Sequence, residues 1–375
     1  MKKIRIACLF FILSFLLMSS FQVLLARIDS PETKTQNVQL TELENIQLLI
    51  KKRGLKWNAG LTDVAMRSDE EKEKMLGGSI PDLGPDVKQV FIQTTHELPA
   101  HFDWRDKDGI DWMTPVKDQG GCGSCWAFAA VGATEAKFNI YNNNPNLDLD
   151  LSEQQMVSNG DVCCTDCGDC TSGGYPSRAL NYTKYTGLVD ETCFPYTGSN
   201  SQCNLCYNWQ SRLHKIKDYF WVKPNTIDAY KTALIDYGPL VVELNADEDI
   251  FYYIGGIYEP TGVYASANHA VVLVGYDDAE SYWIVKNSFG TGWGENGYGK
   301  VAYGSIEKYD YVLAVNETDL VTTCSCTDWK IVDEDEYTSY MYGWKITCYI
   351  EMMRRTCTPS GCDREYRRVK FCEIY

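Results

Sequence analysis

The chain has 375 residues, 45% apolar and 13% aromatic, enough to bury a large core in one big domain or two. Its formal charge of −16, from 51 acidic against 35 basic residues, argues against broad binding of a polyanion, so nucleic acid is not an expected partner.

The N-terminus reads MKKIRIACLFFILSFLLMSSFQVLLAR. Lys2, Lys3 and Arg5 precede an apolar run from Ile6 to about Leu17, and small residues follow at Ser19, Ser20 and Ala26. This layout predicts a secretory signal over 1–26, with a retained anchor as the alternative because apolar residues continue to Leu25. No later segment is long and apolar enough to span a bilayer, so no membrane contact is expected after signal cleavage. Export makes the sixteen cysteines disulfide candidates first. Cys8 would leave with the signal, and the odd remainder of fifteen asks for an unpaired thiol or an intermolecular bond.

Residues 27–97 are charged, free of cysteine and poor in aromatics. Leu40, Leu43, Ile46, Leu49 and Ile50 predict one helix over 40–52. "RSDEEKEKMLGG" predicts a second, with Ser68 as N-cap, acids in its first turn and Gly77-Gly78 as the stop. "SIPDLGPDVKQV" reads as an extended linker. From 98 to 317 the chain becomes rich in Trp, Tyr, Gly and Cys. "SCWAFAAVGATEAKFNIY" is apolar or small nearly all round near its start, the pattern of a buried helix, and "LSEQQMV" carries a capping-box pattern at Ser152 and Gln155. "GPLVVEL", "HAVVLVGYD", "SYWIVKNSF" and "GYGKVAYG" predict strands between Gly, Asp and Asn turns. Helices followed by strands predict an α+β fold with a cleft between two lobes. Residues 318–375 carry six cysteines (324, 326, 348, 357, 362, 372), the acidic run "DEDE" at 333–336 and basic residues around Arg354 to Lys370, and read as a small disulfide-stapled module.

"DQGGCGSCWAFAA" sets Cys122 and Cys125 three apart at a helix start. A redox dithiol needs a βαβ context, which "RDKDGIDWMTPVKDQGG" does not offer. A metal site could also draw on Cys164, Cys167, Cys170, Cys203 and Cys206, but in an exported chain disulfides outcompete it, so no metal or other cofactor is expected. The third reading is a nucleophile beside a disulfide cysteine. "CGSCW" at 122–126, His269 in "NHAVVLVGY" 144 residues on and Asn287 in "WIVKNSFGTGWGENGYG" another 18 on match in order, and closely in spacing, a known signature with a His and an Asn roughly 130–150 residues after the Cys. By these motifs, over about 98–315, the chain resembles the papain-like cysteine peptidases of the cathepsin type.

The resemblance implies a two-lobed papain-like fold, with a helical left lobe, a β-barrel-like right lobe and the cleft between them. It implies a cysteine endopeptidase in which Cys125 attacks, His269 pairs with it, Asn287 orients His269 and Gln119 supplies an oxyanion donor. It pairs Cys122 with Cys170, and Cys203 with either Cys163 or Cys164. Gly173 and Gly174 of "TSGGYP" would line the substrate backbone, Tyr175 and Pro176 the pocket for the second residue before the scissile bond, and Phe289 and Trp293 complete the substrate-binding set. Three departures stand out: one extra residue between Cys170 and the Gly pair, Phe289 where the family commonly has Trp, and no cysteine between Cys206 and Cys324 for the family's late core disulfide.

Residues 27–97 would be a propeptide blocking the cleft, with maturation near Glu97 or Leu98. "KWNAGLTDVAMRSDEEKEKMLGG" is similar to the prosegments of cathepsin B-like members, but the paired histidines that give those enzymes dipeptide removal have no counterpart here, so an endopeptidase is expected. Expected partners are protein or peptide substrates and the chain's own propeptide as inhibitor, with the enzyme a monomer in a lysosome or vacuole, or outside the cell. The triplets at Asn181 and Asn316 are glycosylation sequons. A catalytically silent binding protein is the rival reading, and the intact Cys125, His269, Asn287 and Gln119 argue against it.

Overall fold

The computed structural model describes residues 31–77, 87–147, 149–262 and 266–319, without the side chains of 31–37, and the backbone of the strands between 325 and 374. The signal expected over 1–26, Gly78 of the expected helix stop and residues 79–86 of the Pro/Gly-rich linker lie outside the described residues. Among the described residues no helix is long and apolar enough to cross a membrane. Residues 1–319 and 320–375 form two separate compact units.

The first unit opens on helix α1 (Pro31–Arg53). Gln39 and Ile46 are buried and Leu43 and Ile50 pack on the core, a stripe with helical spacing. Leu40 and Leu49, expected on that face, are exposed instead, because a stripe at 39, 43, 46 and 50 turns them outward. Strand β1 (Lys56–Ala59) buries Trp57 and Ala59. Helix α2 (Asp69–Met75) has the capping box complete: Ser68 Oγ accepts from Glu71 N–H and Glu71 Oε2 from Ser68 N–H, an arrangement that contributes about 1 kcal/mol. Two short strands follow, β2 (Gln89–Phe91) and β3 (His101–Asp103).

Helix α3 (Cys125–Tyr141) is buried from Cys125 to Asn139 and packs on the sheet and on a later helix. Its small residues permit the approach: a Cβ at Gly132 would stand 3.2 Å from Val272. The "LSEQQMV" segment yields only α4 (Gln154–Val157). Half of the expected box forms there, Gln155 N–H to Ser152 Oγ, but Gln155 Oε1 accepts from Val189 N–H and Ser152 N–H donates instead to the Val189 carbonyl. Strands β4 (Gly168–Asp169) and β5 (Gly173–Gly174) pair with each other, and α5 (Pro176–Tyr185) starts with proline at its first position, where no N–H is needed.

The rest is mainly strand: β6 (Ile216–Lys223), helix α6 (Ile227–Tyr237), then β7 (Leu240–Leu244), β8 (Tyr253–Tyr258), β9 (His269–Asp277), β10 (Tyr282–Lys286), β11 (Tyr298–Ala302) and β12 (Val312–Thr318). They form one sheet in the order β1-β8-β11-β10-β9-β7-β12-β6-β2, with β3 also on β9, mostly antiparallel. The order is open, so the expected barrel-like right lobe is one large sheet that does not close fully. Strands β7, β9 and β10 are buried on both faces, which explains their nearly unbroken apolar runs.

Four disulfides staple the helical lobe: Cys122–Cys170, Cys163–Cys203, Cys164–Cys167 and Cys193–Cys206, so Cys163 is the one that joins Cys203. Cys164, Asp166 and Cys167 form a potential three-ligand cluster, but two of its sulfurs are bonded to each other. Asn181 is exposed on α5 and Asn316 half-buried on β12, while Thr183 and Thr318 of the two sequons are buried.

The second unit contains β13 (Ser325–Cys326) paired with β16 (Cys357–Thr358), and a three-stranded antiparallel sheet of β14 (Lys330–Met341), β15 (Trp344–Arg355) and β17 (Glu365–Ile374). Register sets Cys326 opposite Cys357 and Cys348 opposite Cys372; Cys324 and Cys362 lie outside the described residues.

Candidate active site

Cys125 is the first residue of α3 and the one free cysteine among the described residues. The Cys122–Cys170 bridge (Cα–Cα 4.5 Å) and the Gly123 N–H bond to the Cys170 carbonyl (2.9 Å) fix the turn before it. Trp126 Nε1 donates to the Gly123 carbonyl at 2.9 Å, and Ser124 Oγ meets Tyr196 Oη at 2.7 Å, which in turn donates to the Gln119 carbonyl at 2.8 Å. A thiol at a helix N-terminus sits where the backbone dipole favours negative charge.

His269 opens β9, and Asn287 immediately follows β10. Their side chains meet, His269 Nε2 to Asn287 Oδ1 at 2.8 Å. Asn287 Oδ1 also accepts from Ser288 N–H at 2.8 Å, which identifies that atom as the oxygen, so the imidazole carries its proton on Nε2 and leaves Nδ1 bare. Nδ1 is buried without a hydrogen-bond partner, free to take a proton. Phe289 is buried with its ring 4.8 Å from that of His269 and covers the His–Asn pair, while Trp293 stands edge-on to Phe289 at 5.8 Å and donates Nε1 to the Ile250 carbonyl.

Gln119 is fully enclosed. Its Nε2 donates to the carbonyls of Met75 (2.9 Å) and Cys122 (2.8 Å), and its Oε1 accepts from Ser288 Oγ (2.6 Å). The segment holding Gln119 is anchored by Lys117, which binds Glu135 at 2.8 Å, Asp150 at 2.6 Å and Glu153 at 2.9 Å. Burial alone would lower the Lys117 ammonium, but these carboxylates hold it well above its usual range.

The cleft is occupied by the chain's own N-terminal segment. Just beyond α2, the Gly77 carbonyl accepts from Gly174 N–H at 3.1 Å, and the Gly77 backbone also hydrogen-bonds to the Cys125 thiol. The approach is backbone on backbone: a Cβ at Gly173, whose φ is +74°, would lie 2.0 Å from the Gly77 oxygen, and one at Gly77 would lie 2.2 Å from the Gly123 oxygen. Tyr175 is half-buried and Pro176 buried beside this edge. Arg67 pairs with Asp118 at 2.6 Å and ties the same segment down.

In this covered state burial works against the charged forms of the expected pair. Burial pushes the Cys125 thiol up to about 12, opposed by the Ala270 backbone hydrogen bond and reinforced by the charge of Glu243. Burial likewise lowers the His269 imidazole to about 4, against the Asn287 hydrogen bond. Both shifts favour the neutral thiol and imidazole, because burial penalises each charged form.

Three contributors were not legible in the motifs: Ser288, which holds the Gln119 amide; Gly77, whose sequence signal was only that of a helix stop; and Glu243, which falls within an apolar strand run.

Together these features define a thiol peptidase fold in a covered, proenzyme-like arrangement. The model of the papain family cysteine proteases matches residues 98–316, and the chain belongs to that family. It is 35% identical to mouse pro-cathepsin H over 240 residues, 61% of this chain and 67% of that protein. It is 37% identical to the probable cysteine protease RD19B of Arabidopsis thaliana over 236 residues, 59% of this chain and 63% of that one. The alignments thus span about two thirds of these relatives. Among solved structures, the digestive procathepsin L2 proteinase from Tenebrio molitor larval midgut superposes with a TM-score of 0.65 at 29% identity, over 76% of this chain and 91% of that chain.

Proposed function

We propose that the protein is a cysteine endopeptidase held as a zymogen by residues 27–97, which are removed near Glu97 or Leu98. The observation that carries this reading is that one backbone segment, Met75 to Gly77, meets both the Gln119 amide and Cys125 at the head of α3, while the neighbours of the His269–Asn287 pair, Ala270 and Ser288, touch that same thiol and amide. Once that segment leaves, water and substrate enter, the desolvation that keeps the pair neutral is relieved, and the helix terminus and imidazolium favour the thiolate.

Cys125 Sγ then attacks the peptide carbonyl, its proton residing on His269 Nδ1, the bare nitrogen of this structure. The Gln119 NH₂, already aimed at a backbone carbonyl, and the Cys125 N–H stabilise the oxyanion. His269 protonates the leaving amine, the C–N bond breaks, and a thioester remains on Cys125. His269 next takes a proton from water, which attacks the thioester and frees the acid and the thiol. Asn287 holds the imidazole in orientation, and Phe289 keeps water off their hydrogen bond.

Internal cleavage is favoured by where the other histidines lie. His101 pairs with Asp277, His96 is 3.9 Å from Asp236, and His214 packs edge-on against Phe138, so none of these contacts is with the cleft. The destination is a secretory one, lysosomal, vacuolar or extracellular, and the mature enzyme acts as a monomer. The test is hydrolysis of a protein substrate after acid activation, comparing wild type with Cys125→Ala: the variant loses activity while remaining folded, and equal rates would end the peptidase reading.

A further inference from the structure

The mechanism above leaves one buried group without a task. Glu243 lies on β7 among Leu240, Val241, Val242 and Leu244, fully enclosed, with neither carboxylate oxygen hydrogen-bonded. Burial is the one influence on its carboxyl, pushing it up to about 8, and no described lysine or arginine counters this. An enclosed carboxyl with no partner costs several kcal/mol relative to an apolar residue, so packing does not explain its presence.

Its surroundings do. Glu243 stands opposite Ala270 in the β7–β9 pairing, so the two side chains share a face, and the Ala270 backbone meets the Cys125 thiol. The charge of Glu243 reaches both Cys125 and the Tyr311 phenol. Tyr311 Oη accepts from Ser177 N–H at 3.1 Å, directly after Pro176 at the head of α5. The carboxyl therefore lies near Cys125, Ala270 and Tyr311, whose hydroxyl is tied to the Tyr175–Ser177 turn. Gly174, next along that turn, is where the Gly77 backbone is hydrogen-bonded, so a peptide bound along this edge would present a side chain toward the group of Tyr175, Tyr311 and Glu243.

We propose that Glu243 is a specificity-determining residue, which makes the pocket expected at Tyr175 and Pro176 select a lysine or arginine side chain at the second residue before the scissile bond. The assignment rests on the peptidase reading above. An ammonium or guanidinium entering the pocket supplies the partner that the carboxylate lacks, whereas an aliphatic side chain leaves it unpaired.

Two peptide substrates identical except for Arg or Leu at that position separate the outcomes, using activated wild type, Glu243→Gln and Glu243→Val, each normalised by active-site titration so that only folded enzyme counts. Wild type cleaves the Arg peptide with kcat/KM at least equal to that for the Leu peptide, and both variants lower the Arg-to-Leu ratio by tenfold or more. A wild type that prefers Leu by more than tenfold, or a ratio that falls less than tenfold in the variants, overturns the assignment while leaving the peptidase reading intact. If wild type cleaves neither peptide, the peptidase reading fails and the pocket assignment falls with it.

Discussion

Gln119→Ala removes the side-chain donor that meets the Met75 carbonyl of the segment lying over Cys125. In the covered state its NH₂ bonds the Met75 carbonyl at 2.9 Å, the place a scissile carbonyl oxygen takes in the proposed mechanism. Loss of one such preorganised donor in a water-poor site costs about 10²–10³ in kcat, roughly 3–4 kcal/mol of transition-state stabilisation, with KM little changed. Truncation also orphans Ser288 Oγ, which donates to Gln119 Oε1 at 2.6 Å. Ser288→Ala therefore serves as the companion: it loosens the amide without removing it and lowers kcat by about tenfold or less, in line with ~1 kcal/mol for a single orienting hydrogen bond. The assay is steady-state hydrolysis of a fluorogenic peptide by titrated mature enzyme, with kcat and KM resolved separately. A Gln119→Ala enzyme retaining kcat within threefold of wild type, or losing it only through KM, refutes the oxyanion role.

Two further outcomes follow from burial and register. Because the folded carboxyl of Glu243 is raised above its unfolded value of 4.5 to about 8, the folded state binds the extra proton, and stability falls as pH rises through that interval. Glu243→Gln, made in the proenzyme with Cys125→Ala to prevent self-cleavage, should raise Tm at pH 8 by the equivalent of on the order of 2–5 kcal/mol and change it little at pH 4.5. Scanning calorimetry at the two pH values checks this, and an equal shift at both contradicts it. In the C-terminal unit, facing positions in antiparallel strands lie within disulfide reach, so non-reducing peptide mapping should find Cys326–Cys357 and Cys348–Cys372, with Cys324–Cys362 as the remaining pair.

The chemistry-bearing residues were legible in sequence because their reaction constrains residue type, order and spacing together. A cysteine at a helix start, a histidine beginning an apolar strand and an asparagine just after the next one are local signals. The buried α3 was equally plain, since "CWAFAAVGA" has no polar face to offer solvent. What escaped depends on contacts across the chain. Glu243 in "LVVEL" resembles the polar step of an alternating strand, and only the pairing with Ala270 shows that this face too is enclosed. Gly77 signals a helix stop locally, while its closeness to Gly123 and Gly174 arises from how the N-terminal segment docks. Gln155 fits a capping box by spacing, yet Val189 N–H takes the Oε1 that the box would need. Adjacent cysteines 163 and 164 cannot be told apart by spacing, and the fold joins the first to Cys203 and the second to Cys167.

The central claim is that Cys125 is the nucleophile and that the segment ending at Gly77 holds it covered and protonated. Intact-mass and peptide-level mapping after brief iodoacetamide treatment at pH 6, applied in parallel to the proenzyme and the processed enzyme, tests it most directly. The account predicts one alkyl group on Cys125 of the processed enzyme, with loss of hydrolysis in proportion, and an unmodified proenzyme. Equal labelling of both forms, or full activity with Cys125 alkylated, would contradict it.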